Sequence, residues 1–504
     1  MPTSALPPLP KAPNRTRGLR FLLLTSGLVA LAMLGYAAFH VFTRQPSAVL
    51  LLSVRSAGLS PEYRGALDTF LQDHLEYLGN LTVATVPELP PEADLRALPG
   101  RTLILAPTLS RLDDRLSLSF RYAWLTDLRR DPNGCWRQTP TLEGSPAPTI
   151  QKSLKALPIY LSQNRAPYFL PQQDRNFWTL VHGQALHRDE TRMEEVEALG
   201  ALVSQAEPDC ASAWILRGDV MYRRLLNDPR SHAGAQTEAE GHFAKALVLL
   251  PHHPRGTFLL AEMRIDSGDQ RSALGDLQAA IRVFPRATAL HSGISYAART
   301  AGLLDLAKRA LARRNQLCPQ SSASYTNENT YLYLGERKRF QDSLIESSET
   351  PRNAITHFYR GYMALAAGDR PGAQSHFRSA AQSRESLGQF RELSQVYLGL
   401  SAGKPTEALQ ALRELERARA GLRVPDGEFT FKMAEAYALL GRRQESLDLL
   451  SRAFAQGFGC ARWYAESPFL AGIRRLPRWQ ALLLHVEERQ QLMEKRFPPS
   501  DFGL

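Results

Sequence analysis

The amino-acid sequence predicts an α+β chain in four parts: a single transmembrane helix, a small β-α-β-α-β-β domain, an all-α superhelix of stacked helix pairs, and a C-terminal capping helix. Three observations carry this expectation. Residues 21–42 are apolar apart from His40, residues 48–125 alternate strand-like with helix-like runs, and from about residue 210 small and bulky residues recur every 34 positions. At 504 residues the chain exceeds what one hydrophobic core uses. With 44% hydrophobic and 22% charged residues it has the composition of folded protein.

The first twenty residues carry Lys11, Arg15, Arg17 and Arg20 with no acid, among several prolines, and read as a basic tail too short to fold. Phe21 to Phe42 follows, long enough as a helix to cross a hydrocarbon core of about 30 Å. Because positive flanks stay cytoplasmic, this pattern places the amino terminus inside and the bulk of the chain outside, in the periplasm of a bacterium. The expectation is therefore a single-pass inner-membrane protein.

Beyond the span, Ala48 to Val54 reads as a strand, Pro61 to Leu78 as a helix and Asn80 to Val86 as a strand. Pro91 to Leu98 reads as a short helix and Arg101 to Leu109 as a strand. After a turn at Asp113-Asp114, Arg115 to Leu125 alternates with the two-residue period of a half-buried strand. We take 48–165 as one small domain and 166–209 as a linker with a lead-in helix.

The helical half is announced by period. Ala239, Ala273 and Ala307 are 34 residues apart, and so are Phe243, Leu277 and Leu311, and Pro251, Pro285 and Pro319. A small residue lets two helices approach, a bulky one fills the gap to the next unit, and proline ends the second helix. Gly268, Gly302, Gly335, Gly368, Gly403 and Gly441 mark the turns inside successive units. This is the pattern of tetratricopeptide repeats, with six to seven units over 210–457. A segment 458–504 follows, in which Pro477 to Lys495 reads as a helix that covers the last repeat with Trp479, Leu482, Leu483 and Val486 while Glu487, Glu488 and Arg489 face water.

The hairpin residues Ile104 to Ser110, Asp114-Arg115-Leu116, Asp127 and Gly134-Cys135-Trp136 resemble the small TolB-amino-terminal-like domain of bacterial envelope regulators. The likeness departs at Arg55-Ser56, where that family has Pro-Phe, and in the residues inserted between Asp127 and Gly134. The ending Gly457-Phe458, Ser467-Pro468-Phe469-Leu470, Ile473-Arg474 and Pro477-Arg478-Trp479 is similar to the tails of proteins that combine this domain with the repeats. The whole layout resembles the periplasmic sensory half of CadC-like membrane regulators, without their winged-helix domain. That resemblance implies sensing by capture of a protein or peptide, with a separately encoded regulator or kinase supplying the output. The alternative is a scaffold subunit of an envelope assembly, secretion or polysaccharide machine.

If the repeats bind a protein or peptide, the first helix of each unit lines the concave face. The register places Asp219, Tyr222, Arg255, Phe258, Glu262, Tyr296, Arg299, Phe358 and Tyr362 there. Arginine with tyrosine suits an extended peptide or an acidic segment. No catalytic, metal or cofactor motif is expected, so the chain reads as no enzyme. His187-Arg188-Asp189 and Asp501-Phe502-Gly503 lack the rest of a kinase, and His252-His253 reads as a solvated turn. The four cysteines match no metal or disulfide spacing. The charge of +11 is scattered rather than clustered, with only nine lysines among 61 cationic residues, so nucleic acid is not an expected partner.

Overall fold

In the computed structural model of this protein, described residues run from 46 to 504, apart from 57, 92–94, 97, 100, 132–133, 163–165, 188, 319–326, 347–353 and 384–387. The apolar run at its start forms β1 (Ala48–Leu52), which every residue buries. That is the behaviour of a strand covered on both faces. It lies between β2 (Thr82–Val86) and β3 (Thr102–Leu112), parallel to both. β3 turns at Asp113, whose φ of 53° fits an Asp-Asp turn, and pairs antiparallel with β4 (Arg115–Trp124). The short strands β5 (Arg137–Gln138) and β6 (Leu142–Gly144) both pair with β4, so the sheet order is β2-β1-β3-β4-β5, with β6 also on β4.

Side-chain alternation decides what each face meets. Val49, Leu51, Leu103 and Leu105 join the core beneath helices α1 (Pro61–Gly79) and α2 (Pro146–Lys155). Leu50, Leu52 and Ile104 point the other way and are closed over by Leu95, Leu98, Leu125 and Leu128. Half of the short helix expected over 91–98 falls outside the described residues.

Residues 166–209, read as a linker, hold a helix pair of their own: α3 (Asp174–Leu186) and α4 (Met193–Ala206). Among the described residues seven further pairs follow. They are α5 (Ala211–Asn227) with α6 (Ala235–Leu249), α7 (Pro254–Ser267) with α8 (Gln270–Val283), and α9 (Thr288–Thr300) with α10 (Leu304–Leu317). Then come α11 (Asn329–Tyr333) with α12 (Arg337–Glu346), α13 (Ala354–Ala366) with α14 (Arg370–Gln382), α15 (Gly388–Ser401) with α16 (Pro405–Arg419), and α17 (Gly427–Leu439) with α18 (Arg443–Ala455). The register residues Ala239, Ala273, Ala307, Phe243, Leu277 and Leu311 are all fully buried. The turn glycines from Gly268 to Gly441 all have positive φ, which side-chain-bearing residues rarely adopt.

Besides the small cluster on the sheet's other face, two large hydrophobic cores result, and they do not follow the sheet-to-helix transition. The first runs without interruption from the sheet into α10. The second extends from α10 to the C-terminal helices α19 (Ala461–Glu466) and α20 (Pro477–Arg496). α20 buries Trp479, Leu482 and Val486 as expected of a cap. It does more than close the last pair, however. Gln490 lies against the turn at Gly302, and Asp501 accepts hydrogen bonds at 3.4 Å from Gln278 and Arg282. Arg489 does not simply face water: its Nη1 donates to the Phe454 carbonyl at 2.7 Å.

The transmembrane expectation is corrected. The span 21–42 and the tail 1–20 lie outside the described residues, and among the described residues no helix is long and apolar enough to cross a membrane. The two helices of sufficient length, α1 and α20, carry ionisable residues along their whole course, such as Asp68, Asp73 and Glu76 in one and Glu487, Glu488 and Arg489 in the other. The fold is a small sheet unit joined to a helical superhelix, and the single-pass, inner-membrane placement is withdrawn.

Candidate functional site

The first helices of the pairs, α5, α7, α9, α11, α13 and α15, turn their inner faces toward one another, and the predicted concave residues meet there. They form two polar centres. In the first, Tyr222 and Tyr296 both donate their hydroxyls to Asp266, the former at 2.5 Å. Asp219 accepts from Arg223 Nε at 3.0 Å, and His187 Nε2 and Arg255 Nη2 lie 3.7 and 3.8 Å from it. Burial alone would raise the Asp219 carboxyl, yet Arg223, His187 and Arg255 hold it below its ordinary value. At Glu262 the Arg223 charge is outweighed. Burial, with Asp266 and Asp219 nearby, pushes it up to about 8. Phe258 is half-buried and packs against α9, close to Gly293.

Arg255 also reaches outside the array. Its Nη1 lies 3.3 Å from Asp73 of α1, so the sheet unit and the repeats share one ion-pair chain. Around it, Tyr77 stacks on Phe284 at 5.1 Å, Thr82 Oγ1 donates to the Arg286 carbonyl at 2.9 Å, and Asn80 Nδ2 donates to the Val283 carbonyl at 3.2 Å. His253 was expected in solvent, but its Nδ1 accepts from the Gly256 N–H at 3.2 Å as the cap of α7, with its ring against Phe169 and Tyr77. Burial lowers its pKa to about 3.

The second centre surrounds α17. Eleven of its thirteen residues are buried, so this helix is enclosed on all sides. Arg299 Nη2 lies 2.7 Å from Glu428 Oε2, and Asn329 Nδ2 donates to Glu428 Oε1 at 3.0 Å, joined there by the Tyr333 hydroxyl. Tyr362 donates to Glu435 at 2.8 Å, Lys432 donates to Tyr362 at 3.1 Å, and Tyr397 donates to the Lys432 carbonyl at 2.9 Å. Phe358, fully buried, packs edge-on against Tyr397 and Phe390.

The predicted groove residues are thus brought together, most of them in buried positions. Asp219, Tyr222, Arg299, Phe358 and Tyr362 are buried and engaged within the chain, Arg255 is held by Asp73, and Phe258, Glu262 and Tyr296 are half-buried. At Arg299 and Tyr362 the cover is α17, through Glu428 and Glu435, whereas Asp219 and Tyr222 are engaged by Arg223 and Asp266. Sequence reading missed Asp266, Asn329, Tyr333, Tyr397, Asp426 and the stripe Glu428, Lys432 and Glu435. One signal was available: charges at spacing four and three in a helix that is otherwise apolar mark a buried polar stripe.

Among the described residues, no group of three or more His, Cys, Asp or Glu is placed to hold a metal ion. Cys135, Cys210 and Cys460 are free thiols.

No protein-family model and no curated protein matches this chain. Among solved structures it is similar to the anaphase-promoting-complex hetero-tetramer Cut9–Hcn1, at 11% identity over 67% of this chain and 80% of that one, with a TM-score of 0.37. It is similar to yeast Tom70 at 12% identity over 65% and 66% of the two chains, with a TM-score of 0.35. A tetratricopeptide repeat protein from Parabacteroides merdae is 18% identical over 50% and 93%, with a TM-score of 0.26. The tetratricopeptide architecture rests on this chain's own 34-residue register and its stacked helix pairs. The TolB-amino-terminal-like and CadC-like resemblances find no match here.

Proposed function

We propose that this chain is a protein-interaction scaffold that holds a helical or peptide segment of a partner along the inner face of its repeat array. The observation that carries this reading is the convergence of α9, α11, α13 and α15 on a single helix, each supplying an arginine, asparagine or tyrosine to it. Tyrosine and arginine in desolvated positions are what protein interfaces use as anchors. Placing a photo-crosslinking residue at half-buried Phe258 and, separately, at outward-facing Val248, which is 78% exposed, tests it. The expected result is a discrete adduct from the inner position that is lost when Arg255→Glu is added. Equal labelling from both positions would refute the inner face as the partner site.

A regulatory form of this reading, in which the sheet unit relays capture, is supported by the Asp73–Arg255 contact, because α1 touches the same arginine that lines the array. If Asp73→Asn leaves partner capture and its downstream response coupled as before, the relay is refuted and the plain scaffold remains.

A further inference from the structure

We infer that α17 is a displaceable resident of the inner groove, and that the partner replacing it is an acidic amphipathic helix with a carboxylate, a lysine four residues later, and a second carboxylate three residues beyond. This deepens the scaffold reading and rests on it.

The polar stripe is the first support. A helix kept only as core filling would be apolar all round, since buried charges lose their hydration and are repaid only by close partners. Glu428, Lys432 and Glu435 lie on one face of α17: Arg299 and Asn329 of the groove meet Glu428, Tyr362 meets both Lys432 and Glu435, Lys432 also pairs with Glu435 at 3.2 Å within the helix, and Ser467 of the C-terminal segment donates to Glu435. Such a pattern confers register and identity more than strength. It specifies what a competing helix must carry.

The junction is the second support. The regular stacking of pairs ends between α16 and α17, and residues 420–426 connect them. Asp426 closes this connection with φ of 52°, a left-handed conformation costly for a residue with a side chain. Its N–H donates to the Asp266 carbonyl at 3.0 Å, so two acidic residues meet where α17 enters the groove. Burial and the mutual proximity of Asp266 and Glu428 raise the Asp426 carboxyl to about 8. The entry of α17 into the groove is therefore acidic, with the Arg299–Glu428 ion pair beside it.

The third support is incomplete fit. Asn329 Oδ1, Thr330 Oγ1 and both polar atoms of the Asn327 side chain are buried with no hydrogen-bond partner among the described residues. All belong to the turn and first residues of α11, beside the Glu428 site. Buried polar groups are nearly always paired, so the resident helix leaves recognition capacity unused.

The test uses the full chain and a fluorescent peptide of residues 427–441. Glu428→Gln in the chain keeps the shape of α17 but weakens its hold on Arg299. The peptide, retaining Glu428, is expected to bind this variant at least ten-fold more tightly than the unaltered chain, and a Lys432→Met peptide is expected to lose that gain. Absent or equal binding, with native circular dichroism preserved, overturns the inference. Should the variant not fold, hydrogen exchange on the unaltered chain decides. Exchange of α17 and α18 at least ten-fold faster than that of α7 and α9 supports displacement, and simultaneous exchange of all four overturns it. A concentration-dependent dimer that trades α17 between copies would identify a second copy of this chain as the occupant and overturn a separate partner helix. Peptide binding without inner-face crosslinking to a partner would sink the scaffold reading alone, whereas crosslinking without peptide binding would sink only this inference.

Discussion

Arg299 of α9 and Glu428 of α17 form an ion pair 2.7 Å long between residues 129 positions apart, with side-chain exposures of 0% and 7%. It joins the third and seventh helix pairs across the seam between the two hydrophobic cores. Removing one partner leaves the other charged and buried, so Glu428→Ala is expected to destabilise by about 3–5 kcal/mol. Arg299→Met combined with Glu428→Leu is expected to cost less than the sum of the single changes by about 1–3 kcal/mol. Chemical denaturation of the unaltered chain, Glu428→Ala, the two single changes and their combination measures both quantities, and additive losses would show that the pair is not coupled.

At the other contact between distant parts, Arg255→Ala leaves Asp73 buried without its cation. Burial already raises the Asp73 carboxyl, and Arg255 is the group that lowers it. Losing it is expected to loosen α1 from the repeats, at a cost of about 3 kcal/mol. Limited proteolysis is expected to cut between residues 156 and 173 sooner than in the unaltered chain. An unchanged cleavage pattern would show that the apolar contacts around Tyr77 and Phe284 suffice.

Stability is expected to peak at weakly acidic pH. Burial raises Glu76, Glu262 and Asp426 each to about 8, whereas unfolded Glu and Asp titrate near 4.5 and 3.8. The native chain therefore holds protons that the unfolded chain has released, and this contribution, complete at low pH, is lost as pH rises toward 8. Burial lowers His74 and His187 to about 4 and His253 to about 3, against 6.5 when unfolded. For these groups the unfolded chain takes up protons first, so stability is lost as pH falls from about 6.5 toward 3. The two trends oppose each other between 4.5 and 6.5. Denaturation midpoints are expected to drop between pH 6.5 and 8.5 and again below 4.5, and Glu262→Gln is expected to flatten only the alkaline limb.

Close approach of paired helices gives a contrasting pair of glycine substitutions. A Cβ at Gly218 would lie 2.7 Å from the Phe243 ring, whereas one at Gly275 would meet nothing within 4 Å. Gly218→Ala is expected to destabilise by about 1–3 kcal/mol through overpacking. Gly275→Ala, in the middle of α8, is expected to stabilise by up to about 1 kcal/mol through helix propensity. Thermal unfolding distinguishes them by opposite shifts of the midpoint.

Local periodicity makes much of this molecule legible in its sequence. The 34-residue register identified the helix pairs because their contacts are between neighbours, where a small residue on one helix and a bulky one on the next must recur. The same locality revealed the strand alternation of Arg115 to Trp124 and the turn at Asp113-Asp114. Register assigns Asp219, Tyr222, Arg299, Phe358 and Tyr362 to the first helices of their pairs, and all five are buried.

What covers those faces was decided elsewhere. Register says that α17 opens a seventh pair, but not that the chain turns after Arg419 and lays that helix against Arg299, Tyr333, Tyr362 and Tyr397. Nor does it say that Asp73 of α1 reaches Arg255, or that the terminal helix returns to Gly302. These contacts join residues separated by up to about two hundred positions, and their geometry depends on the summed rotation of every helix pair between them. Short-range patterning determines which side of each helix is buried. The accumulated curvature of the whole array determines against what.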